Sequence, residues 1–117
     1  MTQYTIYHNP RCSKSRATLQ LLNEAGVDVN IIKYLEQPPS VEQLQSIVNS
    51  LNVPVRDILR TGEAEYSAGG FDDDSLSDAR LLALIHQHPK VLERPIVVAG
   101  NQAVIGRPPE NVLTLLP

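Results

Sequence analysis

The sequence predicts an α/β domain in which a mixed sheet is flanked by helices, built from a βαβ unit at the start of the chain and a ββα unit at its end, with helices inserted between them. Three observations carry this. "QYTIYHN" and "VDVNIIKYL" are β-rich runs separated by an amphipathic helical segment, and strand, helix, strand in that order implies a right-handed parallel pair. "PIVVAGNQAVIG" reads as a hairpin, two apolar strands joined at Gly100-Asn101. Between these ends lie helical patterns bounded by prolines.

Each element has its own signals. The first strand alternates from Tyr4 to His8 and stops at Asn9-Pro10. A helix is expected from Ser13 to about Ala25, with Thr18, Leu21, Leu22 and Ala25 on one face and Gly26 as its stop. Gln37-Pro38-Pro39 breaks the chain after the second strand. Ser40 then caps a helix, and Gln43 three residues on completes a capping box. Val41, Leu44, Ile47, Val48 and Leu51 make its apolar stripe. Pro54 opens a short helical segment expected to reach Arg60. Residues 61–74, "TGEAEYSAGGFDDD", carry no period and read as a loop, long enough to act as a lid. A helix from Ser75 or Ser77 to His88 ends at Pro89, and "PENVLTLLP" closes the chain as a helix after the hairpin. The layout resembles a thioredoxin-type fold with a helical insertion. Strand order is not legible.

The 117 residues make one domain, 1–117, large enough for a core without metals or disulfides. Trp is absent and Phe71 stands alone, so Leu, Ile, Val and Ala must build that core. A single cysteine excludes an internal disulfide and a cysteine zinc cluster. No apolar run is long enough to span a membrane and no signal peptide is visible, so the cytoplasm is the expected compartment, where a lone thiol stays reduced. A net charge of −3 does not advertise a nucleic-acid surface. A monomer is expected, since no long apolar stripe is left unassigned.

The one thiol, Cys12, sits in "YHNPRCSKSR" at a strand-to-helix junction, where free backbone N–H groups and the helix dipole favour negative charge. Arg11, Lys14 and Arg16 add cations nearby in sequence. Together they should lower the thiol pKa and make a nucleophilic thiolate. Arg16, four residues on, should return to the face of Cys12, and Ser15 could donate a hydrogen bond to the sulfur. His8 ends the preceding strand beside it. An inert, buried cysteine is the bland alternative, but its polar neighbours argue against it.

Seven of the ten basic residues are arginine, the side chain suited to two-pronged recognition of oxyanions. Arg60 ends a short helix, while Arg94 and Arg107 each precede a proline, which restricts them and permits a cis bond. Spacing alone leaves open whether all three meet at Cys12. The pattern C-x-x-S excludes a self-sufficient dithiol mechanism, and three residues between Cys12 and Arg16 are too few for a phosphatase anion loop. His86 and His88, two apart on a helix, face different ways, so no metal is expected.

"YHNPRCSKSR", with "YLEQPPS", "LERPIVV" and "GRPPENVLTLLP", resembles the glutaredoxin-coupled arsenate reductase family over nearly the whole chain. The resemblance implies Cys12 as nucleophile, assisted by His8 and Ser15. It implies Arg60, Arg94 and Arg107 as the arginines that bind the oxyanion, and Pro95 as the cis-proline of a thioredoxin-like fold. Arg16 and Asn9, which flank the thiol in the chain, join the expected substrate-binding set. No bound cofactor is implied; glutathione is the co-substrate and glutaredoxin the partner. Three other readings compete: a monothiol glutaredoxin-like oxidoreductase, a reductase of another oxyanion, and a non-enzymatic thiol-stress regulator. Against the first, Glu93-Arg94-Pro95 stands where a glutaredoxin has Thr-Val-Pro; against the last stands the arginine set.

Overall fold

Among the described residues four strands form one sheet: β1 (Tyr4–His8), β2 (Val29–Lys33), β3 (Ile96–Ala99) and β4 (Gln102–Ile105), in the spatial order β2-β1-β3-β4. The β1–β2 pair is parallel, with Tyr4 opposite Val29 and His8 opposite Lys33; the β1–β3 and β3–β4 pairs are antiparallel. The sheet is therefore mixed, as expected. The structure, a computed structural model, describes residues 3 to 117. It divides into two units: the chain up to Gln37 together with Arg94–Pro117, and the segment Pro38–Glu93.

The first unit holds the sheet, α1 (Ser13–Glu24) and a 3-10 helix at Pro109–Leu115. On one face of the sheet Tyr4 and Ile6 pack with Val97 and Ala99, and Leu22 and Val112 from the two helices close that core. β1 was expected to alternate, but four of its five residues are buried. Tyr7, on the face opposite Tyr4, Ile6 and His8, is buried as well, so burial does not follow a strict alternation. α1 buries Ser15, Thr18 and Leu22, whereas Ala25 is exposed. Gly26 follows at φ +73°, the left-handed conformation that ends helices without strain in glycine. The hairpin turns at Gly100, φ +62°, and Asn101.

The second unit is helical: α2 (Val41–Leu51), α3 (Ala64–Ala68) and α4 (Asp78–Gln87), with 3-10 turns at Val55–Ile58 and Pro89–Val91. The expected capping box is present, Ser40 Oγ accepting from Gln43 N–H at 3.1 Å and Gln43 Oε1 from Ser40 N–H at 2.9 Å. Leu44, Ile47 and Val48 form the buried part of the α2 stripe. The segment after Pro54 is shorter than expected, because Leu59 leaves helical geometry and bridges to Leu92 in extended form. Residues 61–74 are not a plain loop: they contain α3. Phe71 is fully buried beside Tyr66, and Arg56 donates to the Phe71 and Asp73 carbonyls at 2.9 and 2.7 Å.

Candidate active site

The turn after β1 presents the thiol. Asn9 organises it: its side-chain Oδ1 accepts from Arg11 N–H and its carbonyl from Cys12 N–H, both at 3.0 Å. Cys12 then occupies the N-cap of α1 in extended geometry (φ −92°, ψ 123°), and its own carbonyl accepts the first helical bond, from Arg16 N–H. An N-cap side chain faces the free N–H groups of the first turn. Here those belong to Lys14 and Ser15. They act on the sulfur without closing a full capping hydrogen bond.

The thiol pKa is lowered by a balance of opposing effects. Burial is the largest single influence and pushes it up. The backbone N–H of Ser15, the Arg94 guanidinium as hydrogen-bond donor, the backbone N–H of Lys14 and the charge of Arg94 together outweigh it. The expected cations are not the cause. Arg11, Lys14 and Arg16 are exposed, and Arg16 donates instead to the Pro10 carbonyl at 2.9 Å. Lys14 contributes through its backbone, not its ammonium. Half-buried and beside a charged donor, Cys12 has the setting of a reactive thiolate rather than of a structural cysteine.

His8 continues the Tyr4-Ile6 face of β1, and Ser15 begins the buried stripe Ser15-Thr18-Leu22 of α1, so the two meet at the polar end of the core. His8 Nδ1 and Ser15 Oγ share a hydrogen bond of 2.6 Å, and the same hydroxyl accepts from Asn9 N–H at 3.1 Å. The Ser15 hydroxyl is thus engaged in bracing the turn, while the backbone N–H of Ser15 serves the sulfur. Burial, then the charges of Lys33 and Arg16, lower the His8 pKa, which leaves the ring neutral near pH 7.

Two arginines reach the thiol from the far end of the sequence. Arg94 enters just before β3, and Arg107 follows β4; the hairpin brings both back to α1. Arg107 Nη1 lies 4.0 Å from Cys12 Sγ and donates to the Arg94 carbonyl at 3.2 Å. The Arg94–Pro95 and Arg107–Pro108 peptides are both cis. Gly106 packs so tightly on Thr18 and Pro95 that no larger residue fits without displacement. Cys12, His8, Asn9, Ser15, Arg94 and Arg107 therefore share the first unit. Arg60 belongs to the second, where its guanidinium lies 3.6 Å from Glu63 and 3.7 Å from Glu93. Among the described residues no group of three or more His, Cys, Asp or Glu stands together as a metal site. His86 instead hydrogen-bonds the Pro39 carbonyl and His88 pairs with Glu65. No helix is long and apolar enough to cross a membrane among the described residues.

A model of the ArsC family matches residues 7–115. An arsenate reductase of Neisseria meningitidis serogroup A is 44% identical over 117 residues, 99% of this chain and 100% of that one. An arsenate reductase of Haemophilus influenzae is 47% identical over 112 residues, covering 95% of this chain and 97% of the other. Among solved structures, an arsenate reductase from Vibrio cholerae superposes with a TM-score of 0.94 at 48% identity, over 98% of each chain.

Proposed function

The chain belongs to the ArsC family, and from that premise we propose that it reduces arsenate to arsenite through Cys12, with glutathione as co-substrate and glutaredoxin as external reductant. The observation that carries the reading is the pairing of a half-buried thiol of lowered pKa with Arg94 and Arg107 at one helix N-terminus. Cations beside a thiol favour its thiolate, and the same cations offset the repulsion between a thiolate and a tetrahedral dianion.

The Cys12 thiolate attacks arsenic. An S–As bond forms, an As–O bond breaks, and the displaced hydroxide takes a proton from solvent to leave as water. Arg94 and Arg107 neutralise the remaining oxygens of the adduct, with Asn9 holding the turn beside them. A glutathione thiolate then attacks the adduct. The S–As electron pair passes to arsenic, As(V) becomes As(III) and arsenite departs, while the Cys12 and glutathione sulfurs join as a disulfide. Glutaredoxin reduces that disulfide by thiol exchange. Because Cys12 is the only cysteine, both resolving thiols must come from outside the chain. His8 and Ser15 do not need to take the thiol proton; they hold the turn that presents the Ser15 and Lys14 amides to the sulfur. The scheme suits a monomer in the cytoplasm, where glutathione is kept reduced.

The test is arsenate-dependent NADPH oxidation in the presence of glutathione, glutaredoxin and glutathione reductase. Turnover that needs every component supports the reading. Absence of turnover with active glutaredoxin refutes it.

A further inference from the structure

Tyr34 has no part in the scheme above, yet the fold delivers it to the thiol. β1 and β2 run parallel with His8 opposite Lys33, so the next residues, Asn9 and Tyr34, leave the sheet side by side. They emerge at the carboxyl ends of the strands, the end at which parallel strands hold ligands. The Tyr34 side chain is completely buried. Its hydroxyl lies against the Asn9 carboxamide and the Arg94 guanidinium, with the Cys12 sulfur close enough to act on it electrostatically. None of these closes a hydrogen bond of full geometry, and the hydroxyl is left without a partner. Nor does Tyr34 figure among the groups that ionise Cys12.

A buried hydroxyl without a partner is rare in native folds, because its desolvation is not offset. Burial, the largest influence, raises its pKa, so the phenol stays protonated and can only be a neutral donor toward an anion. A donor that neither the protein nor the thiolate uses, set beside the cation and the nucleophile, has its acceptor in the substrate. We propose that Tyr34 contacts the substrate, its hydroxyl donating a hydrogen bond to an oxygen of the tetrahedral oxyanion held between Cys12 and Arg94. This rests on the oxyanion reading above.

Tyr34→Phe removes the hydroxyl and nothing else. Three measurements on the full chain decide the matter: thermal unfolding, the pH profile of Cys12 alkylation by iodoacetamide, and the arsenate concentration that half-protects Cys12 from it. The melting temperature should equal or exceed that of the parent, because an unpaired hydroxyl contributes no stability. The alkylation profile should be unchanged, and the half-protecting arsenate concentration should rise about tenfold or more, the worth of one hydrogen bond to a charged group. If the parent is protected and Tyr34→Phe equally so, Tyr34 does not touch the oxyanion while the oxyanion reading stands. A variant that fails to fold, melts lower or shifts the thiol profile makes the hydroxyl structural and overturns the assignment. If arsenate fails to protect the parent, both the oxyanion reading and this assignment fall.

Discussion

Replacing Arg94 by methionine keeps an unbranched apolar stem and removes the guanidinium. In the parent that group both hydrogen-bonds the Cys12 sulfur and stabilises its negative charge. A hydrogen bond to a charged partner contributes about 1.5–3 kcal/mol, which corresponds to roughly 10- to 150-fold in affinity. Arg107 is anchored on the backbone carbonyl of residue 94, not on its side chain, and stays 4.0 Å from the sulfur. Part of the attraction therefore survives, and the lower part of the range, about 10- to 30-fold, is the expected loss of arsenate affinity. The assay is the arsenate concentration that half-protects Cys12 from iodoacetamide, measured at a pH where the thiol is fully ionised in both proteins. A second readout is the alkylation profile without arsenate, whose inflection should move up because the charge of Arg94 no longer opposes burial. An unchanged half-protecting concentration together with an unchanged inflection would refute the role given to Arg94.

Three further predictions concern the same turn and its support. The Cys12 inflection should lie below that of a free thiol, and Lys14→Ala should leave it in place, since the backbone N–H and not the ammonium acts on the sulfur. Because the native thiol pKa is depressed, the thiolate stabilises the fold above the unfolded-state pKa. That advantage is lost as pH falls through the native value, so the parent should outperform Cys12→Ser most at alkaline pH in denaturant titrations. Gly106→Ala would place a methyl 2.5 Å from Thr18 Oγ1 and 2.8 Å from Pro95 Cγ. Overpacking of this kind costs about 1–3 kcal/mol, visible as a lower denaturation midpoint; an unaltered midpoint would show that the loop yields freely.

What was legible in the sequence was local. The Ser40–Gln43 capping box, the Gly26 stop and the Gly100-Asn101 turn each depend on neighbouring residues, and all three are present. The pairing of Tyr4 with Ala99 that makes β1 an interior strand, and the burial of Tyr7 on the face opposite Ile6, are not written in any local window. α3 was missed because five residues among glycines and acids are too few to show a helical period. The site divides the same way. Cys12, His8 and Ser15 could be picked out from one motif. So could the helix-start N–H groups that lower the thiol pKa; the contribution of Arg94 could not, because it is remote in sequence, while Arg16 turns to the Pro10 carbonyl and Lys14 acts through its backbone. Tyr34 read as one more member of an apolar β run; only the parallel register places its hydroxyl at the thiol.

In the proposed reaction Cys12 itself takes arsenate through the redox step. A single-turnover experiment tests it most directly: the protein is mixed with arsenate and glutathione, without glutaredoxin, and intact mass and arsenite are measured together. The expected result is arsenite in equal amount to the protein and a glutathione disulfide on Cys12, with neither in Cys12→Ser. Arsenite released by the Cys12→Ser protein, or none from the parent while its thiol remains alkylatable, would contradict it.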